Sequence, residues 1–331
     1  MTLTTTLPDY HTGINSDPRR VPKIGTIGAK ADGYLSQPRF SAEIVVASSN
    51  AAYFTTNEGQ ILAACSQDQQ PHPRSFLTDL DLSVVQVGQR IYVEDNYLCF
   101  NSGLKLDWGQ RTLWQRTPPS ADDAAPMKQL RFRIESLLKA ALELQESEFR
   151  NHENFSLALQ FLKPDSDSSN FGRLPNGISP LVQTGVAQIK ELLPFCRRGN
   201  LGTVLGRAEQ LIGLGHGLTP SGDDFVGGLL FMTRHLAAVH AADQWWEDGD
   251  ISKLLTCSKP LTSTISHSLL TDLAEGQSHD SLHDLADGLL CGKREFDAAQ
   301  HVRSVTQIGQ SSGWDMLTGI LAGLLPVVYR A

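Results

Sequence analysis

The chain has 331 residues, of which 40% are apolar and 19% are charged, and its formal net charge is −8 at pH 7. This length and composition are typical of a globular protein built as one large unit or as two domains. The excess of acidic residues provides no overall attraction to nucleic acid or to anionic membranes, so we expect neither as a partner.

Targeting and redox signals are weak in this sequence. The amino-terminal stretch MTLTTTLPDYHTGINSDPRR lacks the basic and apolar regions of a secretory signal. The longest apolar run, residues 316–329, is shorter than the ~20 residues that a membrane span needs. The cysteines are scattered without a CxxC pair, which predicts neither a disulfide framework nor a zinc site. We therefore expect a cytoplasmic protein with reduced cysteines.

The amino-terminal third of the chain is predicted to be rich in β-structure. Residues 1–38 mix Thr, Pro, Gly and charged residues without a period, which predicts a flexible extension. Over residues 39–118, short runs rich in Val, Ile, Tyr and Phe are separated by Gly or Asn, as in an antiparallel meander or a small barrel. Within this region, EIVVASSNAAYFTTNEGQILAAC holds two β-rich runs around NEG, which is typical of a hairpin.

Helical periodicity dominates the rest of the chain, residues 119–331. Ser179 followed by Pro180 is typical of an N-cap and a first helical residue. A polar stretch, KPDSDSSNFGRLPNG at 163–177, is predicted to be a loop and is a candidate lid. The fold class is therefore α+β, with an antiparallel β-rich amino-terminal domain followed by a mainly helical domain. Further helices are predicted at about 221–240, 261–275, 280–290, 295–308 and 313–329.

Residues 213–228, GLGHGLTPSGDDFVGG, join two predicted helices and are rich in glycine. Glycines before a helix start leave the backbone amides unobstructed, and these amides together with the helix dipole form an anion site. The known nucleotide loops do not fit, because no strand precedes the segment and no GK[ST] is present. We interpret the segment as a binding site for a small anionic substrate.

A second segment, GQSSGWDMLTGILAGL at 309–324, repeats the essentials of the first. Alignment of SGDD at 221–224 with SGWD at 312–315 brings Gly228 onto Gly319, so both segments read S-G-x-D-x-x-x-G. The repeat predicts two equivalent helix starts that face one cleft. A structural alternative is a capping box, in which Ser and Asp satisfy the first amides of their own helix. Such a cap contributes about 1 kcal/mol.

The candidate site residues come from these two segments. Carboxylates and imidazole can transfer protons, so the predicted catalytic residues are Asp223, His216 and Asp315. The predicted substrate-binding residues are Gly215, Gly217, Thr219, Ser221, Gly222, Asp224, Ser311, Ser312 and Gly313.

Two adjacent carboxylates would repel a bare phosphate, and three explanations stay open. Asp224 is engaged in its cap, or Asp223 holds a Mg²⁺ ion that bridges to phosphate. Alternatively, Asp223 accepts a hydrogen bond from an amide or ureido group of the substrate. Apart from this Mg²⁺ alternative, the sequence predicts no cofactor and no metal site.

The motifs GHGLTPSGDDFVGGLL and GQSSGWDMLTGILAGL resemble the paired signature of the AllH-type family, which is associated with oxamate carbamoyltransferase. The resemblance covers about residues 40–329. It implies a subunit of a multi-protein enzyme of purine (allantoin) degradation that works with FdrA-type partner subunits. That enzyme interconverts oxalurate plus phosphate with oxamate plus carbamoyl phosphate.

The leading hypothesis is therefore a carbamoyltransferase subunit that binds phosphate or carbamoyl phosphate at the glycine-rich helix starts. The S-T-R-T-R phosphate loop of ordinary carbamoyltransferases is absent from the sequence, so a different site or a supporting subunit is expected. One alternative is a non-catalytic scaffold or regulatory subunit. The other is a metal-assisted hydrolase of a small amide or ureido compound that uses Asp223, Asp224 and Asp315.

Overall fold

The computed structural model describes residues 20–148, 154–163, 177–241, 245–247 and 249–329. Within these ranges, strands occupy the amino-terminal part and helices the carboxy-terminal part, so the predicted α+β class is confirmed. Apart from its two end residues, the candidate lid lies outside the described residues.

The strands form one sheet of nine, in the order β8-β7-β6-β2-β3-β4-β5-β1-β9. Most neighbouring pairs are antiparallel, whereas the pairs β1/β9 and β4/β5 are parallel. The strands are β1 Ile24–Gly28, β2 Ser41–Ala47, β3 Ala51–Thr56, β4 Ile61–Ser66, β5 Ser75–Thr78, β6 Arg90–Glu94, β7 Tyr97–Phe100, β8 Lys105–Asp107 and β9 Thr112–Trp114.

The sheet curls toward closure. A bridge between Lys23 and Asp107 brings β8 against the residues that precede β1. The predicted NEG hairpin joins β3 to β4 as an antiparallel pair. Along β3, alternate residues such as Phe54 are buried inside the curl, while Tyr53 points to the opposite face. Tyr53 is half-buried there because the helices cover that face of the sheet.

Residues 24–35, which fall in the predicted flexible extension, form strand β1 and helix α1 (Ala29–Leu35). Ile24 and Ile27 are buried in the sheet core. Strand β1 lies between β5 and β9, so these residues complete the sheet. The strand pattern is short and broken by two glycines, which explains why the sequence shows no period here.

Most helices after the sheet agree in position with the predicted ones. The helix at Ile251–Ser258 was not predicted, and the one helix predicted at 313–329 is two, Ser312–Gly323 and Leu325–Tyr329. Ser179 caps its helix by accepting from the amide of Val182, with Pro180 as the first helical residue. The helices are α2 Met127–Glu148, α3 Pro180–Arg198, α4 Leu201–Ala208, α5 Ser221–Val239, α6 Ile251–Ser258, α7 Thr264–Ala274, α8 Asp280–Leu290, α9 Ala298–Thr306, α10 Ser312–Gly323 and α11 Leu325–Tyr329.

Buried apolar residues form two clusters, one inside the sheet and the other among the helices. Helices α5 and α10 lie at the centre of the second cluster and are buried over most of their surface. A Cβ atom at Gly228 would overlap the carbonyl of Met316, and one at Gly319 would overlap the carbonyl of Phe225. The two glycines therefore allow α5 and α10 to pack closely, side by side and in parallel.

One segment of the described residues, Ser312–Tyr329, is long and apolar enough to cross a membrane by length and composition alone. It consists of α10 and α11, and 83% of it is buried inside the protein. The core helix of a protein without any membrane span has the same properties.

Candidate functional site

The two glycine-rich helix starts meet at one point of the fold. The hydroxyl oxygens of Thr219, just before α5, and of Ser312, the first residue of α10, are 2.9 Å apart and hydrogen bonded. Because α5 and α10 run parallel, the positive ends of both helix dipoles lie at this junction. The junction therefore favours a negatively charged group.

The two starts also share their local geometry. The amide of Gly222 donates to the carbonyl of Leu214 at 2.8 Å, and the amide of Gly313 donates to the carbonyl of Ile308 at 2.9 Å. A Cβ atom at either glycine would overlap a carbonyl oxygen of the turn that precedes it. The repeat seen in the sequence is therefore a repeat of structure.

The capping-box alternative is wrong for both starts. The N-cap of α5 is Pro220 and that of α10 is Ser311, and neither makes a side-chain cap hydrogen bond. Ser221 and Ser312 are the first helical residues, one position later than the box requires. The hydroxyl of each serine instead hydrogen bonds to the aspartate of the opposite helix, and this bond favours the ionised form of the aspartate.

Asp223, predicted to be catalytic, is surrounded by donors of its own chain. Its Oδ1 accepts from the amide of Gly213 at 2.6 Å. Its Oδ2 accepts from the hydroxyls of Thr262 and Ser266, the latter at 2.6 Å. These bonds hold the glycine-rich loop against the start of α7. Asp223 lines neither of the two cavities described below.

Asp224 has a different environment, although it is the next residue. Its Oδ2 accepts from the hydroxyl of Thr219 at 2.9 Å. Burial raises the pKa of the Asp224 carboxyl to about 7, and the hydroxyls of Ser312 and Thr219 act in the opposite direction. Asp224 is therefore a buried carboxyl group that titrates near neutral pH.

Asp315, the equivalent of Asp224 in the second segment, is fully buried. Its Oδ1 accepts from the amide of Phe155 at 2.7 Å, which ties α10 to the short helical turn at Phe155–Leu162. Burial, followed by the nearby charge of Asp224, raises the pKa of Asp315 well above its ordinary value. Burial therefore favours the protonated form of Asp315.

A cavity of about 490 Å³, here called the helix-start cleft, opens at the junction. Several predicted site residues line it, among them the exposed His216. The lining residues are Tyr53, Asn154, His216, Gly217, Leu218, Thr219, Ser221, Gly309, Gln310, Ser311 and Ser312. Gly215, Gly222 and Gly313 do not line it and serve the backbone geometry of the two starts.

Backbone amides are exposed along the loop that leads into α5. Among the described residues, none accepts a hydrogen bond from the amides of residues 215–219. Gly215 and Gly217 have positive φ angles of 135° and 101°, which glycine adopts without strain. The loop therefore offers donors to a bound group.

A second cavity, of about 540 Å³, lies between the sheet and the helices and is here called the sheet–helix cavity. It adjoins the helix-start cleft, since the two share Tyr53, Thr219, Gly309, Gln310 and Ser312. Its other lining residues are Asn50, Ala51, Cys65, Gln69, Gln70, His72, Asp224, Leu269, Leu273, Ser278, His279, Gln307, Ile308 and Met316.

The described lining of both cavities contains no lysine and no arginine, and Asp224 is its one carboxylate. Burial lowers the pKa of His279 to about 4. The pKa of His72 is also lowered well below its ordinary value, mainly by burial and then by His279, Arg74 and Lys30. Both imidazoles are therefore neutral at pH 7.

Among the described residues, no group of three or more His, Cys, Asp and Glu side chains is placed to hold a metal ion. The three aspartates of the hydrolase alternative point into different surroundings. The oxygens of Asp223 accept from three donors, Asp315 bonds to a backbone amide, and Asp224 borders a cavity.

The segment that forms both helix starts also carries the likeness to known proteins. Residues 211–324 match the AllH family model, oxamate carbamoyltransferase subunit AllH. The AllH-type resemblance inferred from the two motifs is thereby confirmed over this segment. The sheet, for which a resemblance from about residue 40 was expected, lies outside the AllH match. Neither the comparison with curated proteins nor that with solved structures gave a match.

All predicted site residues lie within the AllH segment, whereas several residues that line the cavities lie outside it. Tyr53 lies in β3, His72 lies in the loop before β5, and Asn154 precedes a short helical turn. None of the three residues was predicted from the sequence. The alternation along β3 places Tyr53 on the outer face of the sheet, but only the docking of the helices brings it to the site.

Proposed function

We propose that the chain is a subunit of a carbamoyltransferase of the oxamate or oxalurate type and that it binds phosphate or carbamoyl phosphate in the helix-start cleft. The single observation that carries the proposal is the convergence of two parallel helix starts on one cleft inside the AllH segment. Two helix dipoles that end at one point attract an anion, and the amides of residues 215–219 are available to bind it.

The absence of lysine and arginine from the described lining supports a subunit rather than a complete enzyme. A phosphoryl group in transfer is normally held by cationic groups as well as by amides. We propose that partner subunits of the FdrA type supply those cations. The AllH family is itself described as a subunit of its enzyme.

We propose different roles for the predicted site residues. The amides around Gly217 bind the anion, and the hydroxyls of Thr219, Ser221, Ser311 and Ser312 line the cleft and connect it to Asp224 and Asp315. Asp224, rather than Asp223, is the carboxyl group that exchanges protons with the ligand, because Thr219, which lines the cleft, bonds to Asp224 at 2.9 Å and the pKa of Asp224 is raised to about 7. His216 lies at the open edge of the cleft, and Asp223 and Asp315 hold the two helix starts in place.

Calorimetric titration of the purified chain with carbamoyl phosphate and with phosphate tests this proposal. Ser311→Asp places a negative charge on the wall of the cleft, so an anion there is repelled, and thermal melting checks that the variant is folded. Ser311→Asn is the matched neutral control. We expect Ser311→Asp to weaken binding at least tenfold and Ser311→Asn to change it less than threefold.

The proposal fails if the wild-type chain binds neither anion at millimolar concentration, or if both variants bind as tightly as the wild type. Repeating the titrations with Mg²⁺ shows whether a metal ion accompanies the anion. A Mg²⁺ requirement would favour a metal-bridged anion, and binding without Mg²⁺ would favour the amides alone.

A further inference from the structure

The sheet–helix cavity differs from the helix-start cleft in what surrounds it. Strand β3 contributes Tyr53 and the loop before β5 contributes His72, while the helices contribute Asp224 and His279. The cavity thus lies at the contact between the two parts of the fold. Most of its polar side chains are unrelated to the glycine-rich motifs.

The charges around this cavity disfavour an anion. Asp224 is a buried carboxyl on its wall, and the nearest cations do not compensate it. Arg74 and Lys30, which are near enough to affect His72, are both bonded to Asp272, at 2.5 and 2.6 Å. A second anion here would face Asp224 in a partly desolvated space, where like charges repel strongly.

A cation is disfavoured as well. The amino ends of α5 and α10, whose dipoles are positive, lie at the shared wall formed by Thr219 and Ser312. His72 and His279 are neutral and therefore carry no charge that would balance an ion. The surroundings favour a ligand that is polar and uncharged.

The cavity offers both donors and acceptors to such a ligand. Nδ1 of His279 is buried and has no hydrogen-bond partner among the described residues. Burial raises the pKa of Tyr53, followed by the nearby Cys65 and Asp224, so its hydroxyl stays protonated and can donate. The Asp224 carboxylate can accept.

We propose that the sheet–helix cavity is a second binding site, which takes a small uncharged ligand that both donates and accepts hydrogen bonds, such as a carboxamide. The site joins the helix-start cleft at Tyr53, Thr219 and Ser312, so a neutral ligand and an anion would lie next to each other. Tyr53 and His279 bind the neutral ligand. The inference goes beyond the proposed function because it concerns another cavity and another class of ligand.

Fluorine NMR on the full chain tests this site with two probes of the same shape. Trifluoroacetamide is neutral and trifluoroacetate is its anionic counterpart. We expect trifluoroacetamide to give saturable line broadening and trifluoroacetate at the same concentrations to give at least fivefold less. Tyr53→Phe and His279→Asn should each weaken trifluoroacetamide binding at least fivefold. Tyr92→Phe, which changes an exposed tyrosine of β6, is the matched control.

Ser311→Asp separates this inference from the proposed function. Ser311 lines the helix-start cleft and not the sheet–helix cavity, so this variant should lose the anion and keep trifluoroacetamide. The inference is overturned if trifluoroacetamide does not bind or if trifluoroacetate binds equally well. It is also overturned if Tyr53→Phe and His279→Asn, both shown to be folded by thermal melting, bind trifluoroacetamide like the wild type. Loss of both ligands in Ser311→Asp would also overturn it.

Discussion

Three aspartates at the two helix starts show how the same side chain acquires different properties from its neighbours. Asp223 accepts from one amide and two hydroxyls, and Asp315 accepts from one amide in a fully buried position. Asp224 borders a cavity and has a pKa that burial raises to about 7. Of the three, Asp224 is the one that can meet a ligand and change its charge near neutral pH.

Asp223→Ala should destabilise the protein strongly. The substitution leaves the amide of Gly213 and the hydroxyls of Thr262 and Ser266 without their acceptor in a buried region. We expect the free energy of unfolding to fall by roughly 2 to 4 kcal/mol. Urea denaturation measures it, and Asp68→Asn, at an exposed turn, is the control. An unchanged unfolding midpoint for Asp223→Ala would contradict the structural role of this carboxylate.

Asp224→Asn should change how stability depends on pH. The folded pKa of about 7 lies above the ordinary value of 3.8, so the folded wild type binds more protons between these values and loses stability as the pH rises through 7. Asparagine does not titrate. The free energy of unfolding of the variant minus that of the wild type should therefore increase by roughly 2 to 3 kcal/mol from pH 5 to pH 8.

Urea denaturation of both proteins at pH 5, 6.5 and 8 gives this difference. The neutral histidines titrate alike in both proteins and largely cancel. Asp315 is coupled to Asp224 through the charge of Asp224, so the difference reports on this pair of carboxyl groups. A difference that is constant over this range would mean that Asp224 has an ordinary pKa.

At the scale of elements, the pair α5 and α10 determines the geometry of the site. The helices are parallel, and this places two positive dipole ends side by side, which is unfavourable unless negative or polar groups lie there. Asp224, Asp315 and the two serines at the helix starts supply such groups. Close packing along α5 and α10 holds the two helix starts together, so the cleft depends on the contact between these helices.

Gly319→Ala tests this packing. A Cβ atom at Gly319 would overlap the carbonyl of Phe225 in the other helix. We expect a loss of about 1 to 3 kcal/mol in the free energy of unfolding, because the helices must move apart. Gly206→Ala in α4, where a Cβ atom would meet open space, should instead gain about 0.5 to 1 kcal/mol. The same sign for both variants in urea denaturation would contradict this close contact.

The sequence predicted those elements whose signals are local. Helical periodicity and the cap at Ser179 predicted most of the helices, although not α6, and the repeated S-G-x-D pattern predicted two equivalent helix starts. The capping box failed because its serines act across the helix pair rather than within one helix. Residues 24–35 were missed because β1 is a short strand whose partners lie far along the chain.

The candidate site was predicted in part for the same reason. The AllH motifs contain Thr219, Ser312 and Asp224, which line the cavities. Tyr53 and His72 also line them, but they reach the site through the docking of sheet and helices, and such long-range contacts leave no periodic pattern in one sequence. The division into a β-rich and a helical domain near residue 118 stays a prediction.

At the scale of the whole molecule, a buried ion cluster joins the sheet to the helices. Asp272 of α7 accepts from Arg74, next to β5, at 2.5 and 2.9 Å. It also accepts from Lys30 of α1 at 2.6 Å. The Asp272 side chain is fully buried, so its charge depends on these partners. The cluster lies beside His72 and therefore joins the sheet to the helices close to the sheet–helix cavity.

Asp272→Ala should separate the two parts of the fold. The variant leaves Arg74 buried without its partner, so we expect the free energy of unfolding to fall by about 3 to 5 kcal/mol. Asp284→Ala removes a half-exposed partner of Arg116 and should cost at most about 1 kcal/mol. Arg74→Met combined with Asp272→Leu should recover much of the loss, since buried apolar groups replace a buried ion pair without unpaired charge.

Urea denaturation with a fluorescence probe measures all four proteins, and hydrogen exchange of β4 and α7 shows where the loss occurs. If Asp272→Ala and Asp284→Ala cost the same, the ion cluster does not hold the sheet against the helices. Tyr53 and His72 reach the cavity only when the sheet is docked on the helices. Asp272→Ala, measured at a temperature where this variant is still folded, should therefore also weaken trifluoroacetamide binding. Asp284→Ala should not weaken it.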